Sequence, residues 1–137
     1  MAKTTTYVGS PSEIFDIAEA TTAQTYKIGE VQRSGPYALI TAPQWYNPEG
    51  GRQSAGQGDF VQLVDRSILL QLLVEVVPTS ENTIVVNVTP RTYQHLTGSP
   101  KPRELAPDDP NVPGWVLGRV DTLHHEIHKR LQKYVAK

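Results

Sequence analysis

The chain has 137 residues and a formal net charge of −1, so it is long enough to form one domain with a substantial hydrophobic core. The balance of charge argues against a protein whose main task is to hold nucleic acid. The absence of cysteine excludes disulfides, thiolate nucleophiles and cysteine-ligated metals.

The first nine residues are predicted to form a flexible tether or an edge strand, since they are short, polar and rich in β-branched threonine. A helix is predicted over residues 11–24. Ser10 stands at its N-cap, Pro11 at its first position and Glu13 at its third, a combination typical of a capped N-terminus. A stripe at helical spacing supports the prediction and consists of Ile14, Ile17, Ala18, Thr21 and Thr25.

Strand patterns follow the helix. Residues 26–33 and 37–45 are predicted as two strands separated by a Ser-Gly-Pro turn. Residues 47–59 contain four glycines and no large apolar side chain, which indicates an exposed hairpin loop, either mobile or used for contacts.

Residues 60–78 are predicted to form one long strand, or two strands joined by a kink near residues 65–67. Alternation places Leu70, Leu72, Val74 and Val76 on one face, and the other face mixes polar with apolar side chains. A turn at 79–82 leads to a returning strand over 83–91. Together these strands predict an antiparallel meander with one buried face.

Residues 95–114 hold five of the eleven prolines and are predicted to be an extended connector without regular structure, in which Asn111 caps the next helix. A helix is predicted from Trp115 to about Val135. Its apolar stripe consists of Val116, Val120, Leu123, Ile127, Leu131 and Tyr134. We therefore expect residues 10–137 to form a single α+β domain, a two-layer sandwich of helix-grip type with both helices on one face of the sheet.

Candidate metal ligands occur in the C-terminal helix, where the sequence reads HHEIH. His124 and His128 are four residues apart, a spacing that can chelate zinc, but Glu126 is out of place for a metalloprotease and no third ligand is indicated. Both histidines border the apolar stripe, so we interpret them as boundary residues and only weak candidates for a metal site. No cofactor and no catalytic residue is predicted.

Candidate binding residues lie where a predicted strand meets the glycine loop. Large aromatic side chains beside such a loop often anchor a partner, which makes Trp45 and Tyr46 candidates, although they can equally cap the end of the core. Arg52, in the loop itself, is the third partner-binding candidate.

The stretches SPSEIFDIAEATTAQTYKIGEVQRSGPYALITAPQW and LLVEVVPTSENTIVVNVTP resemble the helix-grip domains of bacterial outer-membrane lipoproteins, of which BamC-like domains are the familiar example. The resemblance covers residues 5–91, and the glycine loop and the connector at 95–114 depart from the pattern. It implies a non-enzymatic module that is tethered at a membrane and docks to other envelope proteins. It supplies no catalytic residue.

We therefore expect a binding or scaffold module of the bacterial periplasm or outer membrane. Its partners would be other envelope proteins or a second copy of the chain, with no nucleic acid. Its native form would be lipid-anchored at a cysteine that Met1 has replaced. Two alternatives stay open: a carrier that holds a small hydrophobic ligand between the sheet and the C-terminal helix, and a cytoplasmic protein whose native chain starts at Met1.

Overall fold

A computed structural model describes residues 5–33, 36–53, 64–80 and 82–136 and shows the predicted α+β class. Within these residues an antiparallel sheet of six strands, not closed into a barrel, carries two helices on one face. The strands are β1 (Ile28–Gln32), β2 (Tyr37–Thr41), β3 (Gln44–Tyr46), β4 (Ile68–Ser80), β5 (Thr83–Gln94) and β6 (Arg103–Leu105). The helices are α1 (Pro11–Ala23) and α2 (Gly114–Arg130).

Helix α1 begins where the sequence predicts, but its cap differs in detail. Ser10 is the N-cap residue with an extended backbone, yet its hydroxyl lies 2.9 Å from the Ser12 hydroxyl and makes no capping hydrogen bond to the backbone. Glu13 instead accepts a hydrogen bond from the Tyr134 hydroxyl at 3.3 Å. The start of the helix is therefore tied to the C-terminal part of the chain rather than closed by a local capping box.

The sheet is the predicted meander. Its strand order is β1-β2-β4-β5-β6, and β3 pairs with β4 beyond the end of β2. The single strand predicted over 37–45 is found as two, because Pro43 has no N–H to give to the ladder. At the break the Thr41 hydroxyl accepts the N–H of Leu72 at 2.8 Å, so the backbone of β4 stays satisfied.

Strand β4 begins at Ile68, after a turn in which Arg66 has a φ of +68°. This turn lies at the predicted kink, and residues 60–63 of the predicted strand lie outside the described residues. The predicted alternation is confirmed, since the side chains of Leu70, Leu72, Val74 and Val76 are at most 2% exposed beneath the helices.

The prediction that residues 95–114 lack regular structure is wrong for residues 103–105. These form β6, which pairs with Thr92–Gln94 at the end of β5. The edge of β5 offers free backbone groups to an extended segment, and Leu105 places a buried apolar side chain there.

The boundaries of α2 also differ from the prediction. Pro113 occupies the N-cap position, and the backbone N–H of Asn111 donates to the Asp109 carboxylate at 2.8 Å. Helix α2 ends at Arg130, where Leu131 leaves helical geometry and a short 3-10 helix follows over Gln132–Tyr134. Neither helix in the described part of the chain has the length and apolarity needed to cross a membrane.

The segment before α1 joins the fold through Tyr7. Its backbone N–H and C=O exchange two hydrogen bonds with Ile84, at 2.8 and 2.9 Å, and it also bridges to Val135. Its side chain is 1% exposed. Tyr7 therefore closes one end of the core between β5 and the end of the chain.

Replacing Leu72 by alanine is expected to lower the free energy of unfolding by about 2–5 kcal/mol, because the fully buried side chain lies on the central strand and leaves a cavity. Urea unfolding followed by circular dichroism measures the change. Leu117→Ala is the matched control on an exposed position of α2 and is expected to stay within about 0.5 kcal/mol of the parent. Equal losses for the two variants would contradict the assignment of the core.

Candidate functional site

Trp45 and Tyr46 lie on opposite faces of the sheet. They are consecutive residues of β3, and successive side chains of a strand point to opposite sides. Tyr46 is 1% exposed and faces the helices, whereas Trp45 is partly exposed on the other face. A buried ring offers no surface to a partner, so Tyr46 fills the end of the core and Trp45 alone of the pair is placed for contact.

Tyr46 lies beneath the start of α2. Its ring centroid is 5.2 Å from that of Trp115, and the guanidinium of Arg119 lies 4.5 Å above its ring. The hydroxyl of Tyr46 is buried and has no hydrogen-bond partner in the described residues. The surrounding contacts are those of a packed corner between the sheet and α2.

The first part of the glycine loop, residues 47–53, is fastened to this corner. The Trp115 indole N–H donates to the Pro48 carbonyl at 2.8 Å, and Arg119 donates to the Gly50 carbonyl at 3.2 Å. Gly50 has a φ of +96°, and a Cβ at this position would lie 3.0 Å from the Trp115 ring, so the close approach requires glycine. Residues 54–59 of the predicted loop lie outside the described residues.

Arg52 is exposed and has a structural contact. Its guanidinium donates to the Thr25 carbonyl at 2.9 Å, which links the loop to the connection between α1 and β1. Arg52 also forms an antiparallel bridge with Tyr46, and the N–H of Gln53 donates to the Trp45 carbonyl at 2.9 Å. Backbone pairing thus brings the three predicted binding residues close together, but the side chains of Trp45 and Tyr46 lie on opposite faces and do not form one contact surface.

Strand pairing defines a surface on the side of the sheet opposite the helices. Directly opposed residues of antiparallel strands share a face, and Leu69 is opposed by Trp45 and Tyr93 while Leu73 is opposed by Ile40 and Thr89. We call this surface the open face, since no described helix or strand lies over it. It consists of Ile40, Trp45, Leu69, Gln71, Leu73, Thr89, Arg91 and Tyr93.

The open face carries aliphatic and aromatic side chains beside the polar Gln71, Thr89 and Arg91, whereas an uncovered side of an antiparallel sheet is ordinarily polar. Its aliphatic and aromatic side chains are all partly exposed. Trp45 meets His95 edge to face, with ring centroids 6.4 Å apart, so its orientation is fixed by a neighbour.

A shallow depression of about 590 Å³ lies at the β1 side of this surface, lined among others by Ala38, Ile40 and Leu73. Charged side chains of opposite sign border it, Glu30 on β1 and Arg91 on β5. An apolar floor with a charged rim is the usual anatomy of a protein-binding surface.

Arg33 borders the same depression and is held by α1. Its guanidinium forms ion pairs with Asp16 at 2.7 Å and with Glu19, and lies 4.9 Å above the Phe15 ring. The hydrogen bond that Arg33 donates to the Asp16 carboxylate is the main reason that the pKa of Arg33 is raised. Arg33 thus connects the end of the edge strand β1 to α1, and its positive charge is balanced there by the carboxylates of Asp16 and Glu19.

The two candidate metal ligands make hydrogen bonds within the protein. The buried His124 donates from Nε2 to the Val86 carbonyl at 2.7 Å. His128 shares a hydrogen bond with the Tyr7 hydroxyl through Nδ1 at 2.7 Å, and its Nε2 lies 3.0 Å from the Gln132 amide nitrogen. Among the described residues no group of three or more histidine, cysteine, aspartate or glutamate side chains is placed to hold a metal ion. Both histidines therefore have structural roles at the boundary of the core.

Burial shifts the pKa of both members of the Tyr7–His128 pair. It raises the pKa of Tyr7 to about 12. It also lowers the pKa of His128, with a smaller contribution from the neighbouring histidines His125 and His124. Each shift disfavours the charged form, so the pair is maintained in its neutral state.

No protein-family model, curated protein or solved structure matches this chain. The resemblance to helix-grip lipoprotein domains accordingly stays a prediction.

Sequence reasoning found Trp45 but missed its neighbours on the open face, above all Ile40 and Tyr93. The available signal was the mixed alternation of β4, in which Leu69 and Leu73 fall on the face opposite the buried one. Which residues lie beside them depends on the register between strands, and a single sequence does not give that register.

Ionisation of Tyr7 is expected to destabilise the fold between pH 10 and 12. The folded-state pKa lies above the unfolded value of about 10, so the stabilisation is complete below pH 10 and is lost as the pH rises through the folded value. Tyr7→Phe should abolish this part of the pH dependence, of the order of 2 kcal/mol at two pKa units. Urea unfolding of both proteins from pH 8 to 12 provides the measurement, and parallel curves would contradict the assignment.

Proposed function

We propose that this protein is a non-enzymatic binding module that docks a partner protein on the open face of its sheet, with Trp45 as the anchor. The observation that carries the proposal is the apolar character of a sheet face that no described element covers. Partly exposed Ile40 and Leu73 are directly opposed across β2 and β4, and Leu69 is opposed to Trp45 further along β4, with Gln71 between the two apolar pairs.

The arrangement of charges supports a protein partner rather than a lipid surface. Glu30 and Arg91 have opposite signs and border the same depression. A membrane surface would favour a rim of positive charge alone, whereas mixed charge is suited to a partner with complementary groups.

The contacts of Trp45 support its role as an anchor. Aromatic residues that contribute strongly to binding keep one orientation and lose little entropy on contact. The Trp45 ring meets the His95 ring edge to face, and the Trp45 backbone is paired with that of Leu69. The contact with His95 restricts the orientation of the ring.

The ligand-carrier alternative receives no support from the packing between the sheet and α2. The side chains that meet there are at most 5% exposed, and they are Leu72, Val74, Val86, Val116, Val120, Leu123 and Ile127. A carrier requires an enclosed apolar cavity of several hundred Å³, whereas the depression between β5 and α2 is about 290 Å³ and only partly enclosed.

The cell-envelope part of the proposal rests on the resemblance of residues 5–91 to outer-membrane lipoprotein domains. In this proposal the native chain is tethered by a lipid on a cysteine ahead of Ala2, and its partners are other envelope proteins. This part is independent of the open face and needs its own test.

Docking on the open face is tested by partner capture from membrane extracts with Leu73→Lys and Trp45→Ala. We expect each variant to lower the recovery of the same partner at least about tenfold, because each removes apolar contact at the centre of the surface. Val8→Lys is the matched control on an exposed apolar residue away from the sheet face and should capture like the parent.

Unchanged urea unfolding of the three variants shows that folding is intact. Equal capture by all of them would contradict docking on the open face. Light scattering of the purified chain distinguishes a second copy from a different partner, since a self-docked protein would be a dimer that Leu73→Lys converts to a monomer.

Expression from the complete native gene tests the lipid anchor. The expected product carries a lipid adduct on a cysteine ahead of Ala2, measured by mass spectrometry, and partitions into the detergent phase. An unmodified chain in the aqueous phase would contradict the lipoprotein assignment and leave docking on the open face as a separate question.

A further inference from the structure

The outer edge of β5 is paired at both ends and unpaired in the middle. At one end the N–H and C=O of Ile84 bond to Tyr7, and at the other Thr92–Gln94 pair with β6. Backbone groups of alternate residues in a strand point to the same side. The outward groups between the two paired ends therefore belong to Val86, Val88 and Pro90.

Two of these three residues lack one of the two backbone groups that a further strand would use. The Val86 carbonyl accepts the hydrogen bond from His124, and Pro90 has no N–H. Val88 has both its N–H and its C=O directed outward, and neither group has a hydrogen-bond partner in the described part of the chain. Val88 is partly exposed, and its unpaired N–H and C=O groups can form hydrogen bonds with an added strand.

A groove of about 290 Å³ runs beside this free edge, between β5 and α2. Its wall on the helix side is formed by Leu117, Val120 and His124, and its strand side includes Val88 and Pro90. Leu117 is 49% exposed and is one of the few large apolar side chains so exposed among the described residues. None of the side chains that line the groove is an acid, a lysine or an arginine.

We propose that this groove binds an extended, uncharged peptide segment of a partner protein, which adds to β5 as a short strand and places an apolar side chain against Leu117 and Val120. The occupant follows from the edge itself. Residues around Tyr7 and strand β6 already dock on it as extended segments, so a further extended segment would continue the same row of backbone hydrogen bonds.

The length of the gap limits the segment. From Val86 to Pro90 the free edge spans four residue steps, or roughly 13 Å at about 3.3 Å per residue. A segment of about four or five residues fits between the two paired ends. This site differs from the open face, because a partner binds the edge through backbone groups and the open face through side chains; Thr89 borders both surfaces.

A blocked pentapeptide, acetyl-Thr-Val-Thr-Val-Thr-amide, is the probe for this site. We expect its addition to the full chain to shift the NMR signal of the Val88 amide and to slow hydrogen exchange there, because the amide gains an acceptor. The same peptide with N-methylated valines is the matched control, and it should bind at least about tenfold more weakly because its backbone donors are removed.

Leu117→Lys tests the helix wall and is expected to weaken binding at least about fivefold through the loss of one apolar contact. Leu73→Lys, on the open face, should leave peptide binding unchanged, which separates this inference from the proposed function. Equal binding of the N-methylated peptide, or shifts at Leu73 instead of Val88, would overturn the proposal.

Hydrogen exchange of the Val88 amide in the protein without peptide is the last part of the test. A Val88 amide that exchanges rapidly without peptide supports an open edge. Slow exchange at every protein concentration would overturn the proposal by showing an edge already covered, and slow exchange lost on dilution would assign the edge to a second copy instead.

Discussion

The structure depends on one constraint, the pairing of β4 with the strands on both of its sides. Strand β4 runs from Ile68 to Ser80 and pairs with β2 and β3 on one side and with β5 on the other. Because opposed residues share a face, the alternation of β4 decides which side chains of three neighbouring strands enter the core. A slip of one residue would exchange Leu72 with Leu73 and turn the core face outward. The apolar part of the open face exists because Leu69 and Leu73 alternate with the core residues of β4 and do not enter the core.

The edges of the sheet show how polar groups of the backbone are satisfied where no strand is available. At β5, Tyr7 and His124 provide hydrogen bonds that a neighbouring strand would otherwise supply. His128 then holds the side chain of Tyr7 in place. His124 and His128, whose spacing would also suit zinc, thus make hydrogen bonds that complete the edge of β5 directly and through Tyr7. A buried imidazole must find a partner, and a free carbonyl at an edge is a suitable one.

Local signals in the sequence were sufficient for α1, for the meander and for the alternation of β4, because helix starts, turns and periodicity are written in adjacent residues. They failed where the partner is distant. Strand β6 forms because residues 103–105 pair with the end of β5. The prolines on either side of these residues indicate an irregular segment, so the sequence pattern does not predict the strand. Tyr7 is buried because β5 and the C-terminal residues lie on either side of it. Trp45 and Tyr46 are neighbours in the sequence and both are candidates for partner binding by residue type, but strand geometry places their side chains on different faces. For the site, the sequence indicated the anchor but not the surface around it, which is built from four strands.

The two proposed surfaces differ in what they can recognise. The open face presents side chains of fixed identity, with the Trp45 ring against His95 and charges of opposite sign at its border, so in the proposed function partners are distinguished by shape and charge. The edge of β5 presents backbone groups that every extended chain can match, and only the wall formed by Leu117 and Val120 selects among sequences. A module with one selective surface and one permissive surface can hold a specific partner while also capturing an extended segment. Because one surface is a face of the sheet and the other an edge, occupation of the first does not require any of the backbone groups used by the second.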